Sequence, residues 1–272
     1  MKLFILMMAT LSITTYACEI STFQLKSTSP INGEKFVLDI AAYDAGSEKQ
    51  VVIYPPFGGS TTLEKKYAAK ICARGMSAYI LVKWTGYDET SVTDLSVHER
   101  GTINGLHAFE TFYNHSPKET QLLGTSLGGI YAGIAIGKYD YVKKAVVIAS
   151  GTNLAGILAT SSLPELRSLK KKRFEHFGFT SDQEYIVALN NHLLTKALNY
   201  QANLWDKKLL IFKTNRDGVI KPKFQRELID LFDRKNSYIY STRFGHKKGI
   251  VWTYVRRKNR ITSFLSSKDF KE

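Results

Sequence analysis

Apolar residues gather in eight short runs that are rich in β-branched and aromatic side chains and are separated by turn residues. Several inner runs are apolar at consecutive positions, which is typical of strands covered on both faces of a sheet. These runs predict eight strands, over residues 21–27, 35–43, 50–55, 77–84, 120–124, 143–150, 207–214 and 236–242.

Segments with helical periodicity alternate with these strands. This alternation predicts an α/β fold, a mostly parallel sheet with helices on both faces. The first two strands are joined by a short turn that contains Pro30 and Gly33, which favours an antiparallel hairpin at one edge. The predicted helices are Leu63–Arg74, Val97–Tyr113, Leu127–Tyr139, Phe224–Asp233 and Ile250–Leu265.

The segment from residue 152 to residue 205 interrupts this alternation, because it contains helical pieces and no convincing strand. An insertion after strand six overhangs the sheet edge at which ligands bind in such folds, so it predicts a helical cap. A helical pair that only covers a sheet edge is the alternative. As a cap, the segment would supply the apolar wall of a pocket from Leu154, Ile157, Leu158, Leu163 and Leu166.

The first seventeen residues have the pattern of a signal peptide. Lys2 precedes an apolar stretch from Leu3 to Ile13, and small or neutral residues follow up to Ala17. The stretch is too short to remain as a membrane span. Cleavage after Ala17 would make Cys18 the first mature residue, and Cys18 is then a lipidation candidate. A cell-envelope lipoprotein and a plainly secreted periplasmic or extracellular protein are the two alternatives.

Cys72 is the second of the two cysteines. Its alanine and isoleucine neighbours predict a buried, inert thiol, and the spacing gives no reason to expect a disulfide between Cys18 and Cys72, which would exclude lipidation. The Cys and His spacings do not match a metal site. The full chain is 44% hydrophobic, and we expect residues 18–272 to form a single domain with one core.

The net charge of +14 would attract anionic partners. Basic residues are nevertheless spread along the chain, apart from runs at Leu169–Phe177 and Val255–Arg260, which we interpret mainly as solvated helix faces. Motifs typical of nucleic-acid recognition are absent from the sequence, so we expect no nucleic-acid partner.

Ser126 stands between a predicted strand and a predicted helix, with Gly124 and Gly128 two positions to either side. A strand that turns sharply into a helix crowds the backbone, and glycines at these positions relieve the crowding. The serine oxygen would lie at the amino end of a helix, where free N–H groups and the helix dipole favour negative charge. Ser126 is therefore a candidate nucleophile, and a small residue in a tight turn is the alternative.

A serine nucleophile needs a base, and two later turns offer the partners. Asp217 follows the seventh predicted strand and His246 follows the eighth, so both lie at the same sheet edge as Ser126. We interpret the other histidines as structural or surface residues, the first three because they lie on or beside the helix before strand five, away from that edge, and the others because they belong to the insertion: His98, His107, His115, His176 and His192.

The order of strands, the turn "GTSLGG", the insertion after strand six and the turns "RDGVIKP" and "FGH" together resemble the α/β-hydrolase superfamily over nearly all of the mature chain. The resemblance implies an eight-stranded α/β-hydrolase fold. It also implies that Ser126 is the nucleophile, that His246 is the general base and then acid, and that Asp217 orients the histidine.

The resemblance extends to the segment after strand three, with one departure. Where the family often has His-Gly, this chain has Pro55 and Pro56, and proline has no N–H to donate. The oxyanion hole would therefore combine the N–H of Leu127 with that of Phe57 or Gly58.

These residues predict an exported serine hydrolase that cleaves a carboxylic ester through an acyl-enzyme on Ser126, with no cofactor or metal. The expected partner is a small-molecule or lipid ester, and membrane association would come from a lipidated Cys18 or from the basic surface. The alternatives are a serine peptidase or acyltransferase of the same fold and a non-catalytic envelope binding protein.

Overall fold

A computed structural model describes residues 17–59, 61–84, 90–232, 236–267 and 270 of the chain. The predicted signal peptide, Ala17 apart, lies outside the described residues. No helix among the described residues is long and apolar enough to cross a membrane.

One sheet of eight strands organises the fold, and every predicted strand is confirmed with small changes at its ends. The spatial order is β1-β2-β4-β3-β5-β6-β7-β8. β1 pairs antiparallel with β2 and β2 with β4, while the other neighbours are parallel, so the predicted edge hairpin is also confirmed. The strands are β1 (Glu19–Thr28), β2 (Lys35–Asp44), β3 (Lys49–Tyr54), β4 (Ser77–Trp84), β5 (Glu119–Thr125), β6 (Lys144–Ile148), β7 (Lys208–Thr214) and β8 (Ser237–Thr242).

Helices cover both faces of the sheet. The helix predicted over Ile250–Leu265 is instead two helices, because the backbone leaves helical geometry at Arg257 (φ −108°, ψ 7°). The α-helices are α1 (Thr62–Cys72), α2 (Val97–His115), α3 (Leu127–Lys138), α4 (Leu154–Thr160), α5 (Pro164–Phe177), α6 (Asp182–Asn190), α7 (Pro222–Asp230), α8 (His246–Arg256) and α9 (Lys258–Ser266), and Ala197–Asn203 forms a 3₁₀ helix.

Two apolar layers explain why the inner strands read as continuous apolar runs. On β3, Val52 and Tyr54 pack into the layer under α2, α3 and α7, whereas Val51 and Ile53 pack into the layer under α1, α8 and α9. All four side chains are fully buried. Burial of each such side chain contributes about 1.5–3 kcal/mol, which holds the parallel strands and their carboxyl ends in register.

Two glycines allow β5 to turn directly into α3. A Cβ atom on Gly128 would lie 2.2 Å from the carbonyl oxygen of Tyr54 and 2.4 Å from that of Pro55, and one on Gly124 would lie 2.4 Å from the carbonyl oxygen of Gly128. The first turn of α3 therefore presses against the backbone at the end of β3, a distance that only glycine permits.

A disulfide joins Cys18, just before β1, to Cys72, the last residue of α1, with 5.9 Å between their Cα atoms. The prediction of a free thiol at Cys72 is therefore wrong, and so is lipidation of Cys18, because acylation requires the thiol that the disulfide consumes. The two cysteines are 54 positions apart, and the chain between them carries no signal for this pairing. It depends on α1 packing beside the start of β1, which is a tertiary contact.

We expect the unreduced protein, unfolded in denaturant, to show no free thiol and the reduced protein to show two. Because the disulfide closes a long loop, Cys72→Ser should lower the free energy of unfolding by about 2–4 kcal/mol, measured by urea titration. Cys18→Ser should lower it by the same amount. Equal stability of the oxidised and reduced wild-type protein would contradict the disulfide.

Gly128→Ala should lower the free energy of unfolding by more than about 3 kcal/mol, because the added methyl group meets backbone atoms that cannot move aside. Gly133→Ala in the same helix is the matched control, since its nearest neighbour is a side-chain methyl group of Leu228 at 3.2 Å. The control should change stability by no more than about 1 kcal/mol. Urea unfolding of the two variants compares them directly, and equal stabilities would show that α3 and β3 are not in close contact.

Candidate active site

Ser126 sits in a strained backbone conformation between β5 and α3, with φ 55° and ψ −119°. A positive φ is rare outside glycine and costs about 1–3 kcal/mol. The surroundings hold it in place: the Ser126 N–H donates to the carbonyl oxygen of Ile148 (2.9 Å), and the Ser126 carbonyl accepts from the Ser150 hydroxyl (2.6 Å). The serine side chain is thereby aimed away from the sheet at a fixed point.

His246 and Asp217 complete a hydrogen-bonded line with this serine. His246 is the first residue of α8, and its Nε2 lies 2.9 Å from Ser126 Oγ. Its Nδ1 lies 2.8 Å from Asp217 Oδ2 in the turn after β7. A carboxylate only accepts hydrogen bonds, so Nδ1 carries the proton and Nε2 is free to accept from the serine hydroxyl. The structure thus brings together the three residues that the sequence predicted.

The carboxylate of Asp217 is fully buried and is surrounded by donors. Its Oδ1 accepts from the N–H groups of Val219 and Ile220, each at 2.9 Å. Its Oδ2 accepts from the hydroxyl of Thr214 at 2.5 Å and from the amide of Gln225 at 3.2 Å, as well as from His246. A buried charge is tolerated when it is hydrogen-bonded in this way, and the carboxylate is fixed relative to the imidazole.

Gln225 on α7 is a supporting residue that the sequence reasoning missed. It is completely buried, accepts from the Thr214 N–H (2.9 Å) and donates to the Ile220 carbonyl (2.7 Å), so it ties the end of β7 to the turn that carries Asp217. A signal was present in the sequence. Gln225 lies on the apolar face of its helix beside Phe224 and Leu228, where an amide side chain needs a buried partner.

Ser126 lines a narrow pocket with about 50 Å³ of space for the centres of water-sized molecules. Its wall is almost entirely apolar. The five side chains that the sequence analysis assigned to such a wall, all from the segment between β6 and β7, line it together with residues of α3 and of the Asp217 turn: Leu154, Ile157, Leu158, Leu163, Leu166, Leu127, Ile130, Tyr131, Val219 and Ile220.

Two of the three predicted oxyanion-hole residues line this pocket. Phe57 and Leu127 both line it, and the contact of Gly128 with the end of β3 brings their two segments together. Leu127 begins α3, so its N–H has no partner within the helix. Gly58 follows in the chain with φ 88° and is not among the lining residues.

His98 also lines the pocket, so its assignment to a position away from the carboxyl edge is wrong. The helix α2 follows β4, and its first turn must therefore start near the carboxyl end of that strand. Burial, together with the nearby charge of Arg173, lowers the pKa of His98 to about 3, and the ring is neutral at physiological pH.

Arg173 lies within the basic run that was interpreted as a solvated helix face, yet its side chain is fully buried against residues that precede α2. Glu99, in the first turn of α2, accepts from the N–H groups of Leu194 (3.1 Å) and Thr195 (3.0 Å). Arg173 and Glu99 therefore attach the segment between β6 and β7 to the start of α2 at two separate places.

No protein-family model matches the sequence, and no curated protein sequence is similar to it. Solved structures are similar in fold. The Pyrococcus furiosus esterase Pf2001 aligns with a TM-score of 0.63 and 15% identity, over 90% of this chain and 92% of that chain. The alpha/beta hydrolase GrgF from Penicillium sp. sh18 aligns with a TM-score of 0.62 and 14% identity, over 90% of this chain and 98% of that chain.

A cold-adapted esterase from an Arctic intertidal metagenomic library aligns with a TM-score of 0.58 and 13% identity, over 91% of this chain and 95% of that chain. At such identities the likeness concerns the fold. Taken with the strand order and the turn that carries Ser126, it shows that this chain has the α/β-hydrolase fold, as its sequence resemblance predicted.

Proposed function

We propose that the protein is a serine hydrolase that cleaves a carboxylic ester through an acyl-enzyme on Ser126. One observation carries the proposal: the hydrogen-bonded line from Ser126 through His246 to Asp217 opens onto an apolar pocket. A surface turn or a binding site would not require a buried carboxylate, a histidine of fixed tautomer and a strained serine in one line.

In the acylation step, His246 Nε2 takes the proton of the Ser126 hydroxyl as Oγ attacks the carbonyl carbon of the ester. The carbonyl oxygen becomes an oxyanion, which the N–H groups of Leu127 and Phe57 stabilise. When the tetrahedral intermediate collapses, the ester C–O bond breaks, His246 gives its proton to the departing alkoxide, and an acyl-enzyme remains. Water then repeats the sequence with His246 as base, releasing the acid and restoring Ser126.

Asp217 supports both steps by stabilising the imidazolium that forms on His246. Its hydrogen bonds from Thr214, Gln225 and two backbone N–H groups keep it a fixed acceptor, so the histidine proton stays on Nδ1 between turnovers. None of these steps uses a metal or a cofactor.

The pocket favours an ester with an apolar portion, because leucine, isoleucine and valine side chains make up most of its wall. Peptide hydrolysis and acyl transfer to an alcohol use the same acyl-enzyme and are the alternative activities. Analysis of the products from ester and peptide substrates, with and without an added alcohol, separates the three.

We also propose that the protein is exported. The signal-peptide pattern of the first seventeen residues is one support, and the disulfide between Cys18 and Cys72 is another, because structural disulfides persist in oxidising compartments. The disulfide favours a secreted or periplasmic protein over a lipoprotein anchored through Cys18.

A fluorophosphonate probe should label the native protein at Ser126, and Ser126→Ala and His246→Ala should abolish the labelling. Both variants should lower kcat/KM for p-nitrophenyl butyrate by at least about 10⁴-fold. Ser168→Ala, which changes an exposed serine of α5, is the matched control and should keep full labelling. A native protein that neither labels nor hydrolyses esters would refute the proposed function.

When the full chain is expressed in a bacterium, the exported protein should begin at Cys18 and should have 272 − 17 = 255 residues. Amino-terminal sequencing and intact mass measure this. The mass should fit the oxidised, unacylated chain, because both thiols are in the disulfide. A retained leader would contradict export by this route, and an added lipid mass would contradict the choice of secretion over anchoring.

A further inference from the structure

A buried arginine with only neutral acceptors lies behind the pocket. The guanidinium of Arg173 on α5 donates through Nε to the Ser91 carbonyl (3.1 Å), and through Nη2 to the carbonyls of Ser91 (2.7 Å) and Asp94 (3.2 Å). Its Nη1 contacts the hydroxyl of Tyr185 (2.9 Å) and Nε2 of His98 (3.1 Å). These contacts use all five N–H groups of the guanidinium, which has donors only.

Arg173 thereby decides where His98 carries its proton. The guanidinium has donors only, so Nε2 of His98 must accept, and the ring proton must sit on Nδ1. The ring is also held neutral, since burial and the arginine charge oppose a second proton. An imidazole that accepts a hydrogen bond from a cation at one ring nitrogen is polarised, which makes the N–H on its other nitrogen a stronger donor.

The Nδ1–H of His98 has no hydrogen-bond partner among the described residues. Among the described residues, four side-chain nitrogen or oxygen atoms are both unpaired and shielded from solvent, and Nδ1 of His98 is not one of them. Because it is unpaired, this nitrogen keeps some contact with solvent. His98 is 91% buried and lines the pocket of Ser126. His98 is thus a polar side chain in a largely apolar wall, and its Nδ1 is the ring nitrogen that Arg173 does not hold.

We propose that His98 Nδ1–H donates a hydrogen bond to the bound ester, and that Arg173 is the positioning residue that holds this donor in place. The enzyme would then select esters that carry an acceptor, an ether, hydroxyl or carbonyl oxygen, in the part that occupies the pocket. This inference rests on the proposed ester hydrolysis and adds a substrate class to it.

The selectivity follows from what each ester does to the donor. An ester with a suitably placed oxygen pairs with Nδ1–H, whereas a pure hydrocarbon chain displaces water from it and leaves it unsatisfied. Sites built to hydrogen-bond a substrate reject analogues that lack the group more strongly than apolar pockets reject an extra methylene. We expect a preference of about 10-fold or more in kcat/KM, beyond any difference in the intrinsic reactivity of the esters.

The test compares p-nitrophenyl and alkyl esters in matched pairs, in which one ether oxygen replaces one methylene at successive positions of the acyl and alcohol chains. His98→Gln keeps an oxygen near the Nε2 position for Arg173 and removes the donor at Nδ1. The oxygen-to-methylene ratio is kcat/KM for the ether-containing ester divided by kcat/KM for its hydrocarbon partner. For one position of the oxygen, this ratio should be about 10-fold lower in His98→Gln than in the wild type. Comparing the ratio between the two proteins cancels the intrinsic reactivity of the esters. His98→Asn, whose amide can place N–H near the Nδ1 position, should retain part of the ratio.

His107→Gln, in the same helix but paired with Glu110 on the surface, is the matched control and should leave the ratio unchanged. Equal ratios in wild type and His98→Gln at every oxygen position would overturn the assignment of His98. Ser126→Ala should bind these esters without hydrolysing them, so its Kd values for the same ester pairs measure the preference for the oxygen in binding alone. Absence of hydrolysis by the wild type then counts against the proposed function, and absence of discrimination in binding counts against His98.

Nitrogen-15 spectra of the histidine rings test the part played by Arg173. The expected spectrum has an unprotonated Nε2 and a protonated Nδ1 for His98, unchanged between pH 5 and pH 8 because the pKa is about 3. Arg173→Met should release this fixed tautomer and lower the oxygen-to-methylene ratio. An Nε2–H tautomer in the wild-type protein would overturn the proposal.

Discussion

The approach of α3 to the end of β3, with no side chain between them, is the contact on which the site depends. It fixes where β5 ends, and so it fixes the strained backbone of Ser126. It also puts the segment of Phe57 beside the first N–H groups of α3. A wider spacing here would separate the nucleophile from the donors proposed to stabilise the oxyanion, even if the sheet were unchanged. The apolar layers on both faces resist that spacing, because they anchor β3 and β5 in register.

Two buried ionic groups flank the pocket, and the protein satisfies them by the same means. Asp217 is surrounded by N–H and O–H donors, and Arg173 by carbonyl, hydroxyl and imidazole acceptors. The acceptors of Arg173 are all neutral. Each also fixes which ring nitrogen of one histidine carries the proton, and the two results are opposite in function. Asp217 leaves His246 with a free acceptor toward Ser126, whereas Arg173 leaves His98 with a free donor.

The eight strands and the positions of Ser126, Asp217 and His246 could be predicted, because they depend on local periodicity and on the rule that parallel strands end at one sheet edge. The disulfide, the neutral His98 and the buried Arg173 could not. Each depends on which side chain of a helix faces a distant segment, and a run such as "LKKKR" reads the same whether one cation points inward or none does. Gln225 falls between these cases, since its place on an apolar face was visible but its partners were not.

The attachments of Arg173 and Glu99 have a consequence for how the pocket could change. Both join the helical segment after β6 to the same short stretch, residues 91–99, and that stretch also carries His98. One piece of chain, which contains none of the three residues in the Ser126 line, thus holds both the helical part of the pocket wall and His98. Variation within residues 91–99 would therefore alter which molecules fit while leaving the reacting groups where they are.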